Sequence, residues 1–328
     1  MSNLPRVRPS GSSAVVTAET ADDGGAGGEA EQRLSGLTLV IEDEPPVRRT
    51  LPPRLSLGQP TTRRWSLARD LDAVREFGLD AIGLWNGKFE GRNRRRVARA
   101  VRESGVAVSS LSWVGGFTHG DAFERRQAWY EAVEAVKLAA GVGAKCVCVA
   151  TGGSGGFTEK HAAEGLIPET LRRLAAVAGE FDVRLAVQPL TGRHGRHSVV
   201  RDVFTTLDLL DRVGRPNVGM VLPTALMAAD PSLVNRVGEF ARRVELVKLS
   251  DCRCDAAAAD VCREGRMPGD GSLPLATLVR RLEAAGYAGD YELDVWNRAS
   301  WRTADHAADL RAARGRFDAL LGDDGDGF

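Results

Sequence analysis

Leu185-Ala186-Val187-Gln188-Pro189-Leu190, Val218-Gly219-Met220-Val221-Leu222-Pro223-Thr224, Leu246-Val247-Lys248-Leu249-Ser250-Asp251 and Tyr291-Glu292-Leu293-Asp294-Val295 are short apolar runs that each end in a polar or conformationally special residue. Runs of this length, bounded by turn residues, read as buried strands. In a closed α/β sheet the carboxyl ends of such strands face the active site. A divalent cation held there calls for hard oxygen ligands and imidazole. The four key positions read Gln188, Pro223, Lys248 and Asp294. The scaffold therefore points to an enzyme, while the residues argue against a metal.

Outward from these runs, strands and helices alternate from Arg54 onward. Strands are expected at 54–57, 80–84, 106–111, 144–150, 184–188, 218–222, 244–249 and 291–295. Between them Ser66 reads as an N-cap for a helix to Phe77, and Gly105 stops a helix over 93–104. Further helices are expected at 121–140, ended by Gly141, and at 168–181, 205–213, 231–240, 273–285 and 303–320. Such alternation means a parallel sheet. An open doubly wound sheet would show a similar pattern. The count of eight, and the polar residues at so many strand ends, favour closure into a (β/α)8 TIM barrel over residues 51–322.

Residues 1–50 are expected to be an extended or disordered tail. They are rich in Gly, Ala, Ser and Pro and too poor in apolar side chains to offset their chain entropy. The chain of 328 residues holds 44 Lys+Arg against 44 Asp+Glu, a net charge of +0, so no basic footprint for nucleic acid stands out. No apolar run is long enough to span a bilayer and no signal peptide is seen, so no membrane partner and a cytoplasmic location are expected. Cys146 and Cys148 read as small core residues of a strand. Cys252, Cys254 and Cys262 lack a fourth Cys or His for zinc, and reduced structural thiols are the simpler reading.

Several positions carry candidate chemistry. Lys248, facing into the mouth, would be a general acid, an anion anchor or a Schiff-base former, or else a partner of Asp294 or Asp251 that replaces a metal's charge. Asp294 beside it would act as base, with Glu292 on the same face but deeper. His194 and His197 follow the fifth strand and His119 follows the third, where imidazole suits proton shuttling, although loop histidines are more often solvated. Trp85, Trp113 and Trp296 follow strands and would form an apolar or sugar-stacking wall, or pack beneath the loops. Arg253 or Arg266 would hold an anionic group. Gly152–Gly156 is either a linker or a backbone cradle, and Pro268–Gly271 either a turn or a substrate contact.

These strand ends, in this order, together with the Pro268–Gly271 turn and Gly286-Tyr287-Ala288-Gly289, resemble the sugar phosphate isomerase/epimerase family of xylose isomerase-like TIM barrels. The resemblance covers roughly 54–320. It implies one divalent metal bound through Glu, Asp, His (or Gln) and Glu, with the two Glu moving the substrate proton. Here the first Glu falls on Gln188, the Asp on Pro223, the His on Lys248 and the last Glu on Asp294. A further family His falls on Leu226.

The departures lead to an expected metal-independent, cofactor-free enzyme. It would carry out isomerisation, epimerisation, dehydration or cyclisation on a small polar or carbonyl-bearing molecule, using Lys248, Asp294 and a histidine such as His194. Gln188 and Asp251 join the expected substrate contacts. A non-catalytic binding or regulatory protein is the alternative, and an ordinary metal-dependent isomerase or epimerase the third. Barrels of the family often form homodimers, which is the expected assembly.

Overall fold

The computed structural model describes residues 54–89, 93–153, 165–190, 195, 197–253, 264–297, 301 and 306–322. The chain divides into Met1–Pro45 and Pro46–Phe328, and the described residues all belong to the second unit. The expectations for residues 1–50, for His194 and for Ser154–Gly156 of the glycine-rich loop lie outside the described residues.

Eight parallel strands close into a barrel in sequence order: β1 (Arg54–Gly58), β2 (Ala81–Trp85), β3 (Val108–Gly115), β4 (Cys146–Ala150), β5 (Arg184–Val187), β6 (Val218–Pro223), β7 (Val244–Leu249) and β8 (Asp290–Leu293), with β8 pairing back on β1. The helices α1 (Leu67–Glu76), α2 (Arg94–Ser104), α3 (Ala122–Val142), α4 (Ile167–Glu180), α5 (Val203–Val213), α6 (Val237–Phe240), α7 (Leu275–Ala284) and α8 (His306–Leu321) alternate with them. This is the (β/α)8 TIM barrel expected from the alternation. Among the described residues no helix is long and apolar enough to cross a membrane.

Local signals explain the element ends. The Ser66 side chain accepts from Arg69 N and Asn93 from Arg95 N, so both helices start on a capping oxygen. Gly141 does not end α3: the helix runs on to Val142, and Gly143 at φ +68° closes it. A single glycine costs a helix only about 1 kcal/mol, less than the packing of α3 supplies. The segment expected as one α-helix over 231–240 starts as a 3-10 turn, Pro231–Arg236, because Asp230 Oδ1 binds both Ser232 N and Ser232 Oγ and tightens it.

Two apolar layers result. The larger core packs the outer strand faces, such as Leu55, Leu57, Val147, Val149, Tyr291 and Leu293, against the helices. A separate small cluster of Cys146, Cys148, Ala186, Val221 and Leu246 fills the barrel interior, with Trp113 packed on it. Cys146 and Cys148 are free and buried, as a reduced-thiol reading expects. Cys252 departs from it: it is disulfide-bonded. A sulfur tied in a disulfide has no thiolate to offer zinc.

Candidate active site

The carboxyl half of the barrel holds a buried cation between two carboxylates. Register places Pro223 of β6 beside Lys248 of β7, and Lys248 beside Glu292 of β8. Lys248 and Glu292 are each 1% exposed and Asp294 8%. Lys248 Nζ lies 3.3 Å from Asp294 Oδ2 and 3.8 Å from Glu292 Oε1, and donates to Ser112 Oγ at 3.2 Å. Burial alone would lower the Lys248 pKa, but the facing Asp294 and Glu292 outweigh it and raise it above the ordinary lysine value. The upward shift keeps the side chain an ammonium at neutral pH.

Glu292 reaches across the barrel. Its Oε2 accepts from Ser110 Oγ at 2.7 Å and Ser109 Oγ at 3.0 Å. The space it occupies exists because β1 and β2 carry glycine: a Cβ on Gly83 would collide with the Glu292 carboxylate, and one on Gly58 would press on Glu292 Oε1 and Cγ. Burial raises the Glu292 pKa, Lys248 and the two serines pull it down, and Asp294 adds to the rise; the net direction is upward. Sequence reading placed Glu292 deeper on this face without giving it a role. Glycine in a strand interior, which marks a close approach, was the available signal.

Tryptophans roof the charges. Lys248 Nζ sits 4.7 Å from the Trp113 ring centre. Trp113 stacks on Trp296 at 5.2 Å, and Trp296 meets Trp85 at 5.6 Å and Trp301 at 5.5 Å edge-on. Trp296 Nε1 donates to Asp294 Oδ1 at 3.0 Å and Trp113 Nε1 donates to Gln188 Oε1. Trp113 lies inside β3 rather than after it, so its neighbours are the barrel interior as well as the loops. Trp85 folds over Gly87, where a Cβ would meet its ring.

The structure thus brings together Lys248, Asp294, Gln188, Trp85, Trp113 and Trp296. It sets others apart. Asp251 is buried and faces away from Lys248: its carboxylate accepts from Cys252 N, Gly269 N and Leu273 N, which closes the Pro268–Gly271 turn. His119 is exposed, with Nδ1 2.9 Å from Glu124 Oε2 at the start of α3. His197 is exposed beside the Gly152–Ser198 bridge. Arg253 is exposed. Arg266 pairs its backbone with Asp251 and lines a shallow cleft with Thr61, Asp270 and His306.

A dication does not fit this set. Lys248 presents a cation and three N–H donors, Pro223 offers no side-chain donor, and the Gln188 oxygen already accepts from Trp113. Among the described residues no three His, Cys, Asp or Glu side chains converge to hold an ion.

The closed eight-stranded barrel, with polar and aromatic side chains gathered at its carboxyl end, is a TIM barrel. Residues 71–316 match the xylose isomerase-like TIM barrel family, and the chain belongs to it. Similar solved structures include protein SMc04130 from Sinorhizobium meliloti 1021, at 24% identity and TM-score 0.71, covering 81% of this chain and 98% of that one. An L-ribulose 3-epimerase shares 18% identity at TM-score 0.67, covering 82% and 94%. The IOLI protein, solved with a zinc atom, shares 16% at TM-score 0.68, covering 82% and 98%. At these identities the likeness is one of fold. No curated protein sequence matches the chain.

Proposed function

We propose that the protein is a metal-independent member of the family that moves protons on a small carbonyl-bearing metabolite. The observation that carries this reading is the buried Lys248 ammonium fixed between Asp294 and Glu292 at the carboxyl end of the barrel, where the fold places chemistry. Asp294 takes a proton from the carbon next to the substrate carbonyl. The charge that develops on the carbonyl oxygen is stabilised by Lys248 in a site of low dielectric. Protonation of the resulting enolate on its opposite face by solvent water gives epimerisation; with an α-hydroxy carbonyl substrate, protonation at the former carbonyl carbon and loss of the hydroxyl proton to water gives isomerisation. Trp113 and Trp296 form the apolar wall, and Trp296 has to swing off Asp294 Oδ1 to admit the substrate.

One observation favours the alternative of a binding or regulatory protein: the charges already satisfy one another beneath stacked rings. Wash-in of solvent deuterium separates the two. The purified protein is incubated in D2O with a panel of ketoses and their phosphates. The enzyme reading expects label at the carbon next to the carbonyl, lost in Asp294→Asn with the fold intact. Absence of label from the whole panel with the wild-type protein would favour the binder.

A further inference from the structure

Arg63 lies in the loop that follows β1, on the carboxyl face of the barrel. Its guanidinium carbon lies 4.8 Å from the Trp301 ring centre and 5.4 Å from that of Trp85. The residue is exposed, and among the described residues no carboxylate pairs with it. An arginine stacked on ring faces keeps the N–H groups of its edge free in one plane, the geometry that grips a phosphate or carboxylate with two parallel bonds.

The loop is built to hold it there. The residue before it, Thr62, is buried, with its carbonyl taken by Lys88 Nζ at 2.7 Å and its hydroxyl donating to Asp70 Oδ1 at 2.7 Å. Lys88 and Asp70 form a buried ion pair at 2.7 Å. Gln59 donates to the same carboxylate at 2.7 Å and accepts from Trp85 N at 2.9 Å, while Trp301 Nε1 binds Pro60 O at 3.0 Å. One polar network therefore fixes the arginine's backbone and the aromatic rings beside it. From Arg63 the rings lead inward through Trp296 and Trp113 to Lys248, in contacts of 4.7–5.6 Å.

We infer that Arg63 is an oxyanion anchor at the rim of the site, and that the ligand carries a phosphate or carboxylate at the end remote from its carbonyl. The inference deepens the proton-transfer reading and rests on it for the identity of the site. Binding of dihydroxyacetone phosphate, its neutral counterpart dihydroxyacetone, inorganic phosphate and acetate is followed by intrinsic tryptophan fluorescence. Wild-type protein should bind the phosphorylated probe more tightly than the neutral one. Arg63→Met, which keeps the stem and drops the charge, should weaken the phosphorylated probe about tenfold or more and leave the neutral one unchanged. Arg63→Lys should fall between, and a thermal melt confirms that each variant is folded. Equal binding of charged and neutral probes to wild type, or equal binding of the charged probe to wild type and Arg63→Met, overturns the anchor. Anion binding through Arg63 without deuterium wash-in would leave the anchor standing and sink the proton-transfer reading. Wash-in with no effect of Arg63→Met would do the reverse.

Discussion

Lys248 Nζ and Asp294 Oδ2 face each other at 3.3 Å, with Glu292 on the far side of the ammonium at 3.8 Å. All three side chains are buried. Removing one partner of such an arrangement strands the charge of the others. Lys248→Met should cost about 3–5 kcal/mol in urea unfolding, because two carboxyl groups are then left facing each other. Lys248→Met with Glu292→Gln should recover a large part of that loss. A cost under about 1 kcal/mol for the single change would mean the ammonium does not hold this end of the barrel together.

Glu292 gives a pH signature. Its folded pKa lies above the unfolded value of about 4.3, chiefly through burial. Folding therefore favours the protonated form. That contribution is complete below the unfolded pKa and is lost as pH rises through the folded pKa. The stability of wild type minus that of Glu292→Gln should accordingly fall as pH rises from about 4. Urea midpoints for both proteins across this range test it. A difference that grows with pH would show that Lys248 and the serines, not burial, control the group.

The barrel was legible because each strand is a continuous apolar run and each break carries its own signal, as at Ser66, Asn93 and Gly105. The sequence left Lys248 to pair with either Asp294 or Asp251, and the β7–β8 register with the 3.3 Å contact decides for Asp294. Other parts were hidden. Glu292 lies against Gly58, Gly83 and Ser110 of three different strands, a contact set by closure and not by spacing along the chain. Arg63 gains its meaning from Trp85 and from Trp301, which is 238 positions away in sequence. Asp251 looked like a site carboxylate because it ends a strand, and only the fold shows three backbone N–H groups converging on it.

The ligand set makes a metal prediction. Dialysed with manganese, zinc, cobalt or magnesium and then analysed by plasma mass spectrometry, the protein should retain no stoichiometric ion. The Lys248 ammonium already supplies the positive charge between Asp294 and Glu292. The triple variant Gln188→Glu, Pro223→Asp, Lys248→His restores the ligands that the family resemblance assigns to these positions, alongside Asp294, and should hold about one ion per chain. One tight ion per chain in the wild-type protein would overturn this account of the site.

Gly83 and Glu292 should be coupled in a way that depends on the barrel being closed as described. A Cβ at Gly83 would run into the Glu292 carboxylate, so Gly83→Ala overpacks the interior and should cost about 1–3 kcal/mol. Shortening the obstacle removes the collision: in a Glu292→Ala background the same change should cost much less, a coupling of about 0.5–3 kcal/mol. Gly58 is the control. Its Cβ would meet the backbone carbonyl of Leu293 as well as the Glu292 side chain, and a main-chain oxygen within the β1–β8 ladder cannot move aside. Gly58→Ala should therefore stay costly in both backgrounds. Equal costs for Gly83→Ala with and without the Glu292 side chain would place that carboxylate somewhere other than between β1, β2 and β3.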